Sequence, residues 1–209
     1  PEHMEFFSDL DTVAAEELSL LEFCQTTLLG TDDVDAKYLK NTNSYLSYGL
    51  NNQPVYSAQL SPTANGINQR LNIYKNQKDL VSAEINLAGV QGGKVVLASV
   101  AVADQLGLNK EEIVAAIERI TPYAGRMNTL LGLKNSLLID DTYNASPLAV
   151  KAGLDVLYNI EASQRIAILG NMNELGKASR VLHEQIGDYC RADKLDLVIT
   201  IGPDANKYL

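Results

Sequence analysis

The sequence predicts an α/β fold whose C-terminal part contains a mainly parallel sheet. Three apolar runs of strand length, over 136–141, 165–169 and 196–201, alternate with two segments of helical periodicity, over 147–160 and 178–193. Strands that alternate with helices of this length form parallel sheets with crossover helices. The alternation is typical of a Rossmann-like domain.

Residues 1–121 predict a separate α/β unit. A helix with an apolar stripe follows Ser8 and Asp9, either of which can cap it, and a strand is expected over 24–29. Short alternating stretches between 43 and 84 favour a small antiparallel sheet with polar turns.

Two further helices are predicted to close this first unit. One follows a glycine pair that ends at Gly93, and the other begins with a capping box formed by Asn109 and Glu112. The second helix ends before Pro122, because the residue before a proline disfavours the helical conformation. We therefore expect a hinge there, followed by a second domain over 122–209.

Composition predicts a soluble protein of the cytoplasm. The 209 residues are 46% hydrophobic and 21% charged, which is enough for one large or two small domains with real cores. A net charge of -9 argues against a nucleic-acid or anionic-membrane surface. No run approaches the roughly 18 apolar residues of a membrane span, and no signal peptide opens the chain. Cys24 and Cys190 lack metal-ligand spacing and are expected to be free thiols in a reducing compartment.

The end of the first parallel strand carries the most informative polar residues. Asp140, Asp141, Tyr143 and Asn144 follow an apolar run that we expect to be buried on both faces, and Pro147 is the predicted first residue of the next helix. The carboxyl ends of parallel strands and the N-termini of the following helices face one crevice, where ligands bind. The alternative is a solvated turn, since Asp and Asn favour turns.

Three motifs in a fixed order resemble the C-terminal domain of the Mur ligases. They are Gly125-Arg126-Met127, Asp140-Asp141-Thr142-Tyr143-Asn144-Ala145-Ser146-Pro147 and Gly170-Asn171-Met172-Asn173-Glu174-Leu175-Gly176. This family joins amino acids or peptides to peptidoglycan precursors. The second motif is similar to that of the branch that adds D-alanyl-D-alanine to UDP-N-acetylmuramoyl-tripeptide. The resemblance extends from His3 to about Ile201.

The resemblance implies a reaction and its site residues. ATP, with Mg²⁺, phosphorylates a substrate carboxylate, and an incoming amine attacks the acyl phosphate. The implied substrates are a UDP-muramoyl-peptide and a dipeptide; no oligomeric state is implied. The implied catalytic residues are Arg126 and Asp141, and the implied nucleotide-binding residues are Arg126, Asp140 and Asp141. The residues implied beside the incoming dipeptide are Tyr143, Asn144 and Pro147.

A magnesium site near the N-terminus is also implied by the resemblance. His3 matches a family histidine that helps to bind magnesium, and Glu17 stands where the family has a carbamylated lysine. The periodicity of the first helix places Glu17 in the middle of its apolar stripe. A buried carboxylate is usually paired, protonated or bound to a metal, so Glu17 is either a magnesium ligand or a buried ion-pair partner.

Three departures from the family pattern support a rival hypothesis. Glu17 replaces the lysine, Gln91-Gly92 replaces a His-Asn pair whose asparagine contacts adenine, and Asn171 replaces an aspartate. The rival is a non-catalytic Mur-ligase-like binding or regulatory protein. The retained Arg126 argues against this rival. Another amide ligase of the superfamily, with a different amine acceptor, is a third possibility.

No phosphate-binding loop of the form G-x-x-x-x-G-K-[ST] occurs in the 209 residues. The resemblance implies that this loop lies upstream of Pro1. We therefore expect a fragment of a longer ligase, in which 1–121 are the rear of the ATP-binding central domain and 122–209 are most of the C-terminal domain. We expect this fragment alone to lack ligase activity.

Overall fold

A computed structural model describes residues 7–32, 34–39, 45–63 and 66–209, and it confirms the predicted α/β fold. The chain divides into two compact units. One contains residues 11–121, and the other contains residues 122–209 together with the described residues 7–10. The assignment of these units to a central and a C-terminal ligase domain stays a prediction.

The first unit is built around a five-stranded mixed sheet with the strand order β1-β2-β3-β4-β5. Its elements are α1 (Leu10–Ser19), β1 (Leu28–Gly30), α2 (Ala36–Leu39), β2 (Leu46–Gly49), β3 (Tyr56–Pro62), β4 (Gln69–Lys75), β5 (Lys78–Ile85), α3 (Gly89–Gln105) and α4 (Lys110–Ile117). Strands β1, β2 and β3 run parallel, whereas β3, β4 and β5 form antiparallel pairs. The predicted antiparallel sheet is therefore correct for β3 to β5 and wrong for β2.

Helix α3 packs against this sheet at close range. Val96, Leu97 and Val100 on the helix are buried together with alternate residues of β4 and β5. A side chain at Gly93 would place its Cβ 2.1 Å from the Leu60 side chain on β3. The missing side chain of Gly93 therefore permits the close packing. Because α3 begins at Gly89, Gly93 lies inside the helix rather than at its start.

Helix α4 confirms the predicted capping box. The Glu112 backbone N–H donates to Asn109 Oδ1 at 2.9 Å, and the Asn109 N–H donates to Glu112 Oε2 at 2.9 Å. Both bonds satisfy donors that have no partner inside the helix.

The second unit contains the predicted alternation of strands and helices. Its elements are β6 (Asn128–Leu131), β7 (Leu137–Asp140), α5 (Pro147–Asn159), β8 (Ile166–Gly170), α6 (Ser179–Tyr189), β9 (Leu197–Ile201) and α7 (Pro203–Tyr208). Strands β8 and β9 pair in parallel, as predicted. Strand β7 instead pairs antiparallel with β6, which the sequence analysis did not predict.

The expectation that β7 is buried on both faces is wrong. Leu137 and Leu138 are 45% and 48% exposed. The physical reason is that β7 forms its backbone hydrogen bonds with β6. A tight turn connects the two strands, and in it the Gly132 N–H donates to the Ser136 carbonyl at 2.7 Å. Within the described residues, no second strand pairs with β7 on its other side.

Helices α5 and α6 cover one face of the β8–β9 pair. Leu154 and Tyr158 of α5 are buried with Ala167 of β8, and Ile186 of α6 is buried with Met172. The chain therefore carries its second core on the helical side of this sheet. Among the described residues, no helix combines the length and apolar character that crossing a membrane requires.

Candidate functional site

The Gly125–Met127 turn and the loop after β7 form one hydrogen-bonded unit. The Tyr143 backbone N–H donates to the Gly125 carbonyl at 3.1 Å, and the Met127 N–H donates to Asp141 Oδ1 at 3.0 Å. These two bonds bring together motifs that are separate in the sequence. Three of the sequence-predicted site residues, Arg126, Asp141 and Tyr143, therefore lie side by side.

The turn that carries Arg126 has an unusual backbone on both sides of it. Gly125 has φ +74°, and a Cβ there would lie 3.2 Å from the Tyr143 nitrogen, so only glycine fits without a shift. Met127 has φ +49°, a left-handed conformation that residues other than glycine seldom adopt. The hydrogen bond to Asp141 holds Met127 in this conformation. Backbone strain of this kind is concentrated at functional sites.

The guanidinium of Arg126 lies over the ring of Tyr143. Its central carbon is 4.1 Å from the ring centroid, and both side chains are exposed. A guanidinium stacked on an aromatic face is attracted by the ring quadrupole and keeps its N–H groups free at the edge. The ring therefore orients a cation that can still donate hydrogen bonds to an anionic ligand.

The two adjacent carboxyl groups of the loop have pKa values shifted in opposite directions. Burial raises the pKa of Asp141, although the Met127 N–H and the charge of Arg126 act to lower it. The hydrogen bond from the Thr142 side chain, 2.7 Å long, lowers the pKa of Asp140. Asp140 is thus the stronger acid, and Asp141 is the group whose charge depends more on its surroundings.

The rest of the loop starts helix α5, as predicted. Ser146 is the N-cap and accepts a hydrogen bond from the Ala149 N–H at 3.4 Å, and Pro147 is the buried first helical residue. Asn144 is exposed, and its Oδ1 accepts from the Ala145 N–H at 3.0 Å. Asn144 can therefore reach a ligand with its amide, whereas Pro147 mainly fixes the direction of the helix.

A cavity of about 590 Å³ runs along β7, β8 and one side of α5 to the carboxyl ends of the two strands. At that end, Asp140, Asp141 and Tyr143 line it from the last residue of β7 and the loop that follows, and Asn171 and Asn173 line it from the loop after β8. This end of the cavity agrees with the rule that ligands bind where the strands of an α/β sheet end. The cavity lies entirely within residues 122–209.

Asn171, which replaces the family aspartate, caps helix α7. Its Oδ1 accepts a hydrogen bond from the Ala205 backbone N–H at 2.9 Å. An aspartate would present the same acceptor, so this departure keeps the capping bond and does not by itself argue against activity. The sequence analysis missed this role, although a glycine and a proline at 202–203 marked the start of a helix.

A second cavity, of about 480 Å³, lies in the first unit beside the N-terminal turns of α3. Gln91, Lys94 and Asp32 line it, and the Lys94 Nζ lies 3.4 Å from the buried Asp32 carboxylate. A Cβ at Gly92 would come within 2.7 Å of the Leu87 Cβ. The family asparagine therefore does not fit at this position without a backbone shift.

Within the described residues, the structure does not place the predicted magnesium ligands beside each other. His3 lies outside the described residues. Glu17 is exposed, and α1 has no buried residue, so the prediction that Glu17 lies in a buried apolar stripe is wrong. Helical periodicity identifies residues on one face, but nothing in the described chain covers that face of α1 closely enough to bury it. Within the described ranges, no three His, Cys, Asp or Glu side chains converge to hold a metal.

Replacing Glu17 by glutamine should leave the stability of the chain unchanged. Because the side chain is exposed, the free energy of unfolding should change by less than about 0.5 kcal/mol. Chemical denaturation of the 209-residue chain measures this. The control is Asp11→Asn, a substitution on the same helix as Glu17 that removes an exposed ion pair to Lys37 of α2. A loss of several kcal/mol for Glu17→Gln alone would revive the buried ion-pair hypothesis.

Comparisons with known proteins agree with the resemblance. The family described as "Mur ligase, glutamate ligase domain" matches residues 125–208. The UDP-N-acetylmuramoyl-tripeptide--D-alanyl-D-alanine ligase of Haemophilus influenzae is 35% identical over 117 residues, which are 56% of this chain and 25% of that protein. The Synechocystis protein of the same name is 31% identical over 161 residues, which are 77% of this chain and 33% of that protein. The chain thus spans a quarter to a third of the length of these relatives.

The fold is also similar to solved structures. The crystal structure of the MurF ligase of Thermotoga maritima in complex with ADP superposes with a TM-score of 0.83 at 20% identity. The superposition covers 99% of this chain and 48% of that one. At this identity the likeness concerns the fold alone.

Proposed function

We propose that this chain, whose residues 125–208 match the Mur ligase family, is part of an ATP-dependent ligase that adds D-alanyl-D-alanine to UDP-N-acetylmuramoyl-tripeptide. The observation that carries the proposal is the hydrogen-bonded unit in which Arg126 lies over Tyr143 beside Asp141. Relatives at 35% and 31% identity bear the name of this activity. Since ATP and nucleotide-linked precursors are cytoplasmic compounds, the proposed reaction takes place in the cytoplasm.

The reaction forms an amide from an unactivated carboxylate, which is uphill in water. In the proposed sequence, an oxygen of the tripeptide carboxylate attacks the γ-phosphorus of ATP, and ADP leaves. The amine of D-alanyl-D-alanine then attacks the acyl carbon, phosphate leaves with the electron pair of the C–O bond, and the nitrogen loses a proton. Such chemistry depends on placing the substrates and on stabilising phosphoryl charge more than on a nucleophilic side chain.

Arg126 is the proposed catalytic cation in the described part of the chain. Its guanidinium is exposed and oriented by the Tyr143 ring, so its N–H groups can donate to phosphate oxygens as charge moves onto them. A cation whose direction is fixed before the substrate arrives loses little entropy when it binds.

The two carboxylates have different proposed roles at the nucleotide. Asp141 uses Oδ1 to hold the backbone of Met127, and thereby fixes the turn that carries Arg126. Asp140 ionises more readily and lines the cavity, where it can accept hydrogen bonds from hydroxyl groups of the nucleotide.

The remaining loop residues are proposed to receive the dipeptide. Asn144 presents an exposed amide at the cavity, Tyr143 presents an exposed ring edge, and Pro147 sets the start of α5 beneath them. No step is assigned to a metal held by His3 and Glu17, because His3 lies outside the described residues and Glu17 is exposed with no converging ligands in the described chain.

Phosphate release by the gene product that contains these 209 residues tests the proposal. We expect release only when ATP, UDP-N-acetylmuramoyl-tripeptide and D-alanyl-D-alanine are all present. Mixtures that lack one substrate, or that contain L-alanine or D-glutamate in place of the dipeptide, are the controls. Release with one of these amino acids instead would identify a ligase with a different acceptor.

One observation favours the non-catalytic alternative. The tight contact at Gly92 leaves no room, without a backbone shift, for the asparagine that the family pattern places there. If no mixture of acceptor and precursor yields phosphate, while the protein still binds the UDP-linked precursor, the binding or regulatory function replaces the proposed one.

A further inference from the structure

His183 is completely buried on helix α6, although histidine is a polar residue. Its exposed fraction is 0%, and no step of the proposed reaction uses it. Both ring nitrogens are occupied by the backbone: Nε2 accepts from the Met172 N–H at 3.1 Å, and Nδ1 lies 2.8 Å from the Ser179 carbonyl oxygen. A buried polar ring with two backbone partners points to a specific structural task.

The partners of His183 determine where the ring hydrogen lies. Because Met172 offers an N–H, Nε2 must be bare to accept it, and because Ser179 offers a carbonyl oxygen, Nδ1 must carry the hydrogen. The opposite tautomer would point a hydrogen at the Met172 N–H and leave Nδ1 facing a carbonyl oxygen. Only the Nδ1–H form satisfies both neighbours.

These side chains are not a hydrolytic triad, although Ser179, His183 and Asp204 lie together. The Ser179 hydroxyl donates to Asp204 Oδ2 at 2.7 Å, and it is 3.3 Å from His183 Nδ1, the nitrogen that carries the hydrogen. The serine is therefore not hydrogen-bonded to a basic ring nitrogen, and the bare Nε2 is used by a backbone N–H.

The segment that His183 holds forms part of the wall of the large cavity. Met172 lies between Asn171 and Asn173, which both line the cavity. The Met172 and Leu175 side chains are buried against Ile186 of α6. The loop thus has apolar anchors as well as the single hydrogen bond from its backbone to His183.

The loop needs such anchors because its backbone is not relaxed. Glu174 has φ +59°, a left-handed conformation that is costly for a residue other than glycine. A strained conformation of this kind persists only where contacts with the surrounding structure hold it in place. The bond from Met172 to His183 fixes the loop two residues before Glu174.

We propose that His183, in its Nδ1–H form, is a positioning residue that holds the loop 170–176 in place as part of the wall of the cavity. The placement of the loop stands on the contacts alone. Its effect on ligation rests on the proposed function.

Amide hydrogen exchange in the 209-residue chain tests the placement. In His183→Gln the amide oxygen can take the place of Nε2 and keep the Met172 bond, whereas the shorter side chain of His183→Asn reaches only the position of Nδ1. We expect the Met172 amide to exchange about tenfold faster or more in His183→Asn, and nearly as slowly as the wild type in His183→Gln. Equal exchange in the two variants, or full protection in His183→Asn, would overturn the proposal.

A measurement on the wild-type chain tests the proposal even if the variants do not fold. Two-bond ¹H–¹⁵N correlation of the His183 ring at neutral pH should show a protonated Nδ1 and a bare Nε2. A protonated Nε2 would contradict the proposed bond to Met172, whatever the variants do.

Kinetics of the gene product then test the effect on ligation. With His183→Asn, kcat/KM should fall by about tenfold for the substrate that occupies the cavity, mainly through a higher KM, and His183→Gln should restore it. If wild-type protein has no ligase activity, the proposed function fails and the exchange result still stands. If His183→Asn loses Met172 protection but keeps wild-type kinetics, the loop is held as proposed and the positioning role in ligation is wrong.

Discussion

Replacing Arg126 by alanine should lower substrate-dependent phosphate release by on the order of 10²-fold or more in the gene product that contains this chain. The guanidinium is the exposed cation that Tyr143 and the Gly125–Met127 turn orient at the site. Removing a positioned donor that faces developing phosphoryl charge raises the barrier of the chemical step. The melting temperature should stay the same, since the exposed side chain contributes little to the core.

Two matched variants separate the charge of Arg126 from its orientation. Arg126→Lys keeps a cation but loses the planar stack, so its rate should lie between those of the wild type and the alanine variant. Tyr143→Phe keeps an aromatic ring under the guanidinium and should be close to the wild type, whereas Tyr143→Leu should be slower. A normal rate for Arg126→Ala at saturating ATP would mean that the arginine is only a surface residue.

Replacing Asp141 by asparagine should move activity and stability in different directions. Asparagine keeps an oxygen acceptor for the Met127 N–H, so the turn should remain in place. It removes the negative charge that the resemblance places at the nucleotide, and hydrogen bonds to charged groups are worth about 1.5–3 kcal/mol, so the rate should fall by about 10- to 100-fold. Asp141→Ala, which removes the acceptor as well, should lower both the rate and the melting temperature.

The pH dependence of this variant's stability follows from the raised pKa of Asp141. Burial is the main cause of the shift, so ionisation of the carboxyl group is less favourable in the folded chain than in the unfolded chain. The contribution of the protonated group is fully present below the ordinary value of 3.8 and is lost as the pH rises through the folded pKa. Asp141→Asn should therefore be as stable as the wild type or more stable at neutral pH, and the difference should vanish below that value. A variant that is less stable at neutral pH would contradict the assigned burial.

The site loop could be predicted because its signals are local. An apolar run that ends in Asp140 and Asp141, followed by the N-cap Ser146 and by Pro147, specifies a strand, a loop and a helix in sequence order. The position of the loop at the carboxyl end of a strand then follows from the α/β pattern. These inferences needed no information about distant parts of the chain.

Contacts between segments that are distant in the sequence were harder to predict. The exposure of Leu137 depends on which strand pairs with β7, and the partner turned out to be the short strand β6. The burial of Glu17 depends on whether another element covers α1, which the period of a helix cannot reveal. The stack of Arg126 on Tyr143 needs the fold of two loops at once.

His183 illustrates the same limit at a single residue. The sequence places it on a helix, but its complete burial and its bond to Met172 depend on how the loop after β8 folds back onto α6. A histidine on an amphipathic helix carries no signal that distinguishes a surface position from such a buried one.

Transfer of oxygen from the tripeptide to phosphate is the most direct test of the proposed ligase. UDP-N-acetylmuramoyl-tripeptide labelled with ¹⁸O in the reacting carboxylate is incubated with ATP, D-alanyl-D-alanine and the gene product that contains this chain. Because the attacking carboxylate oxygen leaves with the phosphate when the amine displaces it, each phosphate released should carry one ¹⁸O atom. Mass spectrometry should also find the tripeptide extended by the dipeptide. Unlabelled phosphate, or phosphate without the extended product, would contradict the account.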